Sequence, residues 1–182
     1  MSRLPRDERY STVAIWFHWI IALLIIANLI IGIGHDGVPA LRALMSAHFA
    51  IGLTVLALTV LRLGWRLGHR APSYPNSMAG WEKGMAHANQ WLLYVLMLAL
   101  PLTGWLMMSG PGPHRPMTWF GLFNMPFLPA SKGAAGFGHE AHGVLGWAML
   151  ALVVLHVAAA LRHHFIRRDR ILVRMAPVLD RG

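Results

Sequence analysis

Four stretches of this chain carry no Asp, Glu, Lys or Arg: residues 13–34, 44–61, 84–110 and 141–161. A helix needs about 20 apolar residues to cross a hydrocarbon core. Lipid offers nothing to satisfy exposed backbone groups, so such segments cross as helices. The pattern predicts an all-α membrane protein, a four-transmembrane-helix bundle folded as one domain over 1–182, with spans at about 13–34, 43–67, 82–109 and 139–165. Arg3, Arg6 and Arg9 precede the first apolar run as they would in a signal peptide. The run is too long for one, no small-residue cleavage site follows it, and it contains Trp16, His18 and Trp19, so it is expected to be retained as a span.

The net charge of +9 invites a nucleic-acid reading. Its placement argues against one. In a four-span topology Arg3, Arg6, Arg9, Arg62, Arg66, Arg70, Lys83, Arg162, Arg167, Arg168, Arg170, Arg174 and Arg181 fall on one side, and only Arg42, Arg115 and Lys132 on the other. Thirteen against three follows the positive-inside rule and predicts both termini in the cytoplasm, with the basic tail near anionic lipid headgroups. The absence of cysteine excludes disulfides, iron–sulfur clusters, thiolate zinc sites and covalently attached haem.

Histidine carries the chemical signal. An imidazole inside a span is costly and rarely idle, and His18, His48, His87, His142 and His156 lie inside predicted spans. His142 and His156 are fourteen positions apart. At about 100° per residue they return to within roughly 40° of one face, and at ~1.5 Å per residue they stand ~21 Å apart. One metal ion cannot bind both, whereas two cofactors at two depths can each take one. Chain direction then supplies partners: His48 shares the outer depth with His142, and His18 the inner depth with His156. Neutral imidazole is a ligand for haem iron, and a bundle core between facing helices is a usual cofactor site. The four histidines are therefore expected to hold two haem groups in the bundle core.

Arg62 lies fourteen positions after His48, and Arg66 is five helical turns from it, so both share its face. They are expected either to meet the propionates of the inner haem or to extend to the interface as long basic side chains do. His163, seven positions after His156, and His87 at the start of the third span are expected either to bracket a quinone headgroup or to be interfacial side chains without a ligand. Met107 and Met108 read as core filling. A divalent-metal transporter would want carboxylates beside its imidazoles, and only Glu140 is at hand.

The segments "YSTVAIWFHW", "HFAIGLTVLALTVLRLGWRL", "AHANQWLLYVLMLALPLTGWLMM" and "HGVLGWAMLALVVLHVAAALRHHF" together resemble the bacterial cytochrome b561 family, over about 10–177. The resemblance implies a bacterial inner-membrane protein with two haem b groups ligated at His18, His48, His142 and His156. It also implies electron exchange with quinone, and in some members oxidation of superoxide by ubiquinone. On that reading Arg42, Arg115 and Lys132 would steer the superoxide anion. One departure is Gly143, where family members usually carry Glu; here "HE" stands earlier, at His139 and Glu140. His139 is a rival ligand, but it lies about 100° off the face of His156. Two other functions remain open: a cytochrome b subunit docked to a redox partner in a larger hydrogenase or dehydrogenase complex, and a non-enzymatic haem sensor.

Overall fold

The computed structural model describes residues 9–69, 71–75, 77–113 and 116–179. Arg3, Arg6, Arg70, His114, Arg115 and Arg181 lie outside them. Five α-helices and one small hairpin make up most of what is described. Helix α1 is Thr12–Gly34, α2 a single turn at Pro39–Arg42, α3 Met45–Gly68, α4 Gly80–Met108 and α5 Lys132–Arg162. Four of these are long and apolar enough to cross a membrane.

Local chemistry sets the ends. The Ser11 hydroxyl accepts from the Ala14 N–H and the Ser131 hydroxyl from the Ala134 N–H, which caps α1 and α5. Pro39 starts α2 at a position where its missing N–H is harmless. α4 runs through Pro101. α5 begins at Lys132, seven residues before the expected 139. The stretch after Ser131 is rich in glycine and reads as loop, but those glycines let the helix lie close on α4. A Cβ on Gly138 would stand 2.8 Å from the Met107 nitrogen and 3.0 Å from the Thr103 carbonyl. Beyond Arg162 the chain makes one π-turn at His163–Arg167 and leaves through Arg168 in a left-handed conformation.

α5 packs most extensively on α4, and α1 on α3, whereas α1 and α5 touch sparingly. The contiguous core is Ile21, Val55, Tyr94, Leu96, Met97 and Met149. Outward-facing apolar side chains abound: Trp16, Leu23, Val144 and Trp147 are each more than three-fifths exposed. A soluble domain would bury them, and lipid does not require it.

Both terminal segments lie at one end of the bundle, where Trp19 Nε1 donates to the Met175 carbonyl (2.7 Å) and Arg174 to the Ser73 carbonyl (2.5 Å). There Glu82, buried at the start of α4, accepts from Arg162 (3.1 Å), Arg167 (2.8 Å) and the Ala79 N–H (3.2 Å). A buried carboxylate is tolerable only with such partners. The opposite end carries the α4–α5 connection, whose strands β1 (Thr118–Trp119) and β2 (Phe123–Asn124) form an antiparallel hairpin.

Candidate functional site

The helices bring four histidines together as two pairs. At the hairpin end, His48 of α3 faces His142 of α5 with ring centroids 6.0 Å apart. Toward the terminal end, His18 of α1 faces His156 of α5 at 6.1 Å. An imidazole nitrogen sits ~2 Å from a first-row metal it ligates and the ring centre roughly 1 Å further, so two imidazoles on opposite sides of one metal hold their centroids ~6 Å apart. Both pairs meet that spacing, which fits a haem iron between the rings.

The surroundings select the right nitrogen. His48 Nδ1 lies 3.1 Å from the Asn28 carbonyl oxygen, and its ring rests on Gly32, where a Cβ would come within 2.7 Å of Cε1. His142 Nδ1 lies 2.9 Å from the Leu100 carbonyl oxygen and 3.3 Å from the Thr103 hydroxyl. Its ring rests on Gly104, where a Cβ would stand 3.1 Å from Cε1. When Nδ1–H donates to a carbonyl, Nε2 keeps its lone pair and can ligate. His156 Nδ1 lies 3.4 Å from the side-chain amide of Asn89, whose Oδ1 otherwise lacks a partner. With that oxygen turned to the ring it accepts Nδ1–H, which satisfies the buried acceptor and again leaves Nε2 for a metal. The carbonyls of Asn28 and Leu100 and the two glycines leave little trace in a sequence; Asn89, a polar residue inside an apolar span, was the available signal.

Arg62 and Arg66 line a cavity of about 430 Å³ at the terminal end, together with Arg9, Tyr10, Gln90 and Tyr94. The Arg62 guanidinium sits 5.5 Å from the Tyr94 ring centroid, and Arg66 stands 5.9 Å from Tyr94 and 6.0 Å from Trp91. Such contacts over aromatic faces hold the two cations beside the cavity. Arg62 is within electrostatic reach of both His18 and His156. Burial pushes the Tyr10 phenol above its ordinary value, against the opposing charges of Arg66, Arg174 and Arg62, so it remains a neutral donor at pH 7.

His87 and His163 do not frame that cavity. His87 is exposed, its ring edge-on to Tyr74 at 5.0 Å. His163 is buried, and its Nδ1 pairs with the Asp169 carboxylate. The π-turn brings Asp169 back onto His163, and neither histidine lines the arginine cavity. The rival ligand His139 is exposed, as is Glu140. Among the described residues no three His, Asp or Glu side chains gather as a metal-ion site.

Comparison with known proteins supplies the family. The chain is 31% identical to cytochrome b561 homolog 2 of Escherichia coli, over 96% of the chain and 95% of that protein. It is 29% identical to a probable superoxide oxidase, CybB, of Yersinia pestis, covering 93% and 97%. To cytochrome b562 of Cereibacter sphaeroides it is 27% identical, covering 94% and 98%. The family model described as prokaryotic cytochrome b561 matches residues 9–177, nearly everything that holds the paired histidines in place. This membrane helical bundle with histidines paired across its core therefore belongs to the prokaryotic cytochrome b561 family.

Proposed function

We propose that the chain is a di-haem b superoxide:ubiquinone oxidoreductase of the bacterial inner membrane, with its termini in the cytoplasm. The observation that carries the reading is the pair of histidine couples at two depths, each spaced for one iron and each contributed in part by α5. Haem b, when bound, supplies one-electron redox chemistry. The protein supplies placement. His48 and His142 hold one group, His18 and His156 the other, and the Nδ1 partners of His48, His142 and His156 fix the rings. Arg62 and Arg66 supply cations for propionates at the level of His18 and His156.

Two superoxide anions each give up one electron and leave as dioxygen; one ubiquinone takes both electrons and two protons. The superoxide reading is supported by the relative named as a probable superoxide oxidase. On the hairpin side Lys132 begins α5, while Arg42 donates to the His35 carbonyl (3.2 Å) and the Asp36 carbonyl (2.9 Å). That keeps its charge in place to attract an anion. The acceptor site is placed at the cavity of the terminal end, where the Tyr10 hydroxyl and the Gln90 amide can donate to quinone oxygens.

The test uses purified oxidised protein. Haem b is counted per chain, the protein is mixed with superoxide and a soluble ubiquinone, and haem absorption and quinol are followed together. Two haems, rapid reduction by superoxide and quinol formation are expected. Haems that ignore superoxide yet exchange electrons with quinol would overturn the superoxide assignment and point to a docked redox partner.

A further inference from the structure

The hairpin between α4 and α5 does not sit above the bundle. Trp119 Nε1 donates to the Thr54 hydroxyl at 3.0 Å, and that hydroxyl donates in turn to the Ala50 carbonyl at 2.8 Å. Thr54 is nine positions into α3, or ~13 Å along its axis. With α3 centred on the bilayer, its 24 residues measure ~36 Å against a hydrocarbon core of ~30 Å, and Thr54 stands roughly 10 Å below the hydrocarbon boundary. The returning strand is tied to the last turn of α4, where Trp105 Nε1 donates to the Pro126 carbonyl at 2.9 Å.

The side chains suit that depth. Residues 116–131 contain no Asp, Glu, Lys, Arg or His. At the tip Phe120, Leu122 and Phe123 are 54%, 73% and 52% exposed, whereas Met117 at the base is buried. The turn places Phe120 at φ 47° and Gly121 at φ 76°. Water-exposed turns give the first of these positions to Asn, Asp or Gly, and a bulky aromatic there carries strain. Trp119 packs edge-on against Phe120 and stacks on Phe123, both at 5.4 Å. Non-helical backbone is tolerated at membrane depth only where it lies against protein, and β1 packs on α3. This hairpin pairs Thr118 with Asn124 and Trp119 with Phe123, and adds Leu122 N–H to the Trp119 carbonyl and Met125 N–H to the Met117 carbonyl.

From these observations we propose that the 117–125 hairpin is a re-entrant membrane element. Its Phe120–Phe123 tip lies against lipid acyl chains, and Trp119 latches it to α3. The proposal needs only that the four long helices span a bilayer, and it is independent of the electron donor and acceptor.

The chain has no cysteine, so one nitroxide can be placed at Leu122→Cys in the full-length haem-loaded protein, reconstituted in phosphatidylcholine vesicles. Leu23→Cys, exposed at mid-span, serves as the lipid reference, and Asp36→Cys, in the turn after α1, as the aqueous one. Collision with oxygen, which dissolves in lipid, is compared with collision with a water-soluble nickel chelate. The Leu122 label is expected to match Leu23, several-fold richer in oxygen collisions than Asp36. Adding Thr54→Val, which removes the acceptor of the indole, should move it toward the nickel chelate. A label that behaves like Asp36 from the start overturns the immersion. A label shielded from both relaxants, as by a second copy or another protein, overturns the lipid contact. A label unmoved by Thr54→Val overturns the latch.

Discussion

At the scale of single residues, the paired rings depend on neighbours that have almost no side chain. Gly32→Ala would set a methyl 2.7 Å from His48 Cε1, and the ring cannot simply retreat because Nδ1 is tied to the Asn28 carbonyl. Gly104→Ala meets the His142 ring at 3.1 Å, a closeness that a small shift relieves. Gly32→Ala should therefore lose most haem at the His48–His142 level while the other level stays loaded, and Gly104→Ala should lose less; counting haem b per chain by pyridine haemochrome checks the order. Asn89→Ala removes the partner of His156 Nδ1. Losing such an outer partner typically weakens metal binding about 10–100-fold, and Asn89→Asp, which can still accept the N–H, should restore it. Haem titration of the apoprotein reads both. The four histidines were legible because helical periodicity fixes face and depth together. Their supports were not, since a carbonyl of Asn28 or Leu100 belongs to no residue type, and a glycine in a span does not say which ring lies on it.

At the scale of elements, the long spans were readable from charge-free runs, and the start of α5, where the structure departs from that reading, has a physical cause. The segment from Lys132 to Gly138 looks like loop because Gly133, Gly136 and Gly138 have poor helix propensity. In the bundle the same smallness lets α5 rest on the backbone of α4. Gly138→Ala drives a Cβ against the Met107 nitrogen and the Thr103 carbonyl, neither of which can swing away. It should cost about 1–3 kcal/mol in stability, seen as a lower Tm in detergent. Because Thr103 and Gly104 also hold the His142 ring, it should loosen the haem at that level as well. The α4–α5 connection is less legible: its aromatic residues give its apolar character, but its tie to α3 is one long-range hydrogen bond between Trp119 and Thr54, which no local pattern encodes. The π-turn is likewise hard to read: seven-residue spacing puts His163 on the face of His156, but no local pattern announces its pairing with Asp169.

At the scale of the whole molecule, the two levels differ in what each end of the bundle offers. The hairpin end carries the cations Arg42 and Lys132 and the anions Asp36 and Glu140, whereas the terminal end has the arginine-lined cavity beside the His18–His156 level. α5 spans both, with its two histidines ~21 Å apart by helical rise. If electrons enter at the first level and leave at the second, single-histidine variants must fail in different ways. His18→Ala should keep a level that superoxide reduces, yet form no quinol. His142→Ala should lose reduction by superoxide while quinol still reduces the remaining level. Stopped-flow absorption with each reductant separates the two patterns, and haem counts show that only one level is missing. Should His18→Ala and His142→Ala fail identically with both reductants, the two ends would not be dedicated to donor and acceptor. The ligand-sized cavity beside the His18–His156 level is the physical reason to expect the split.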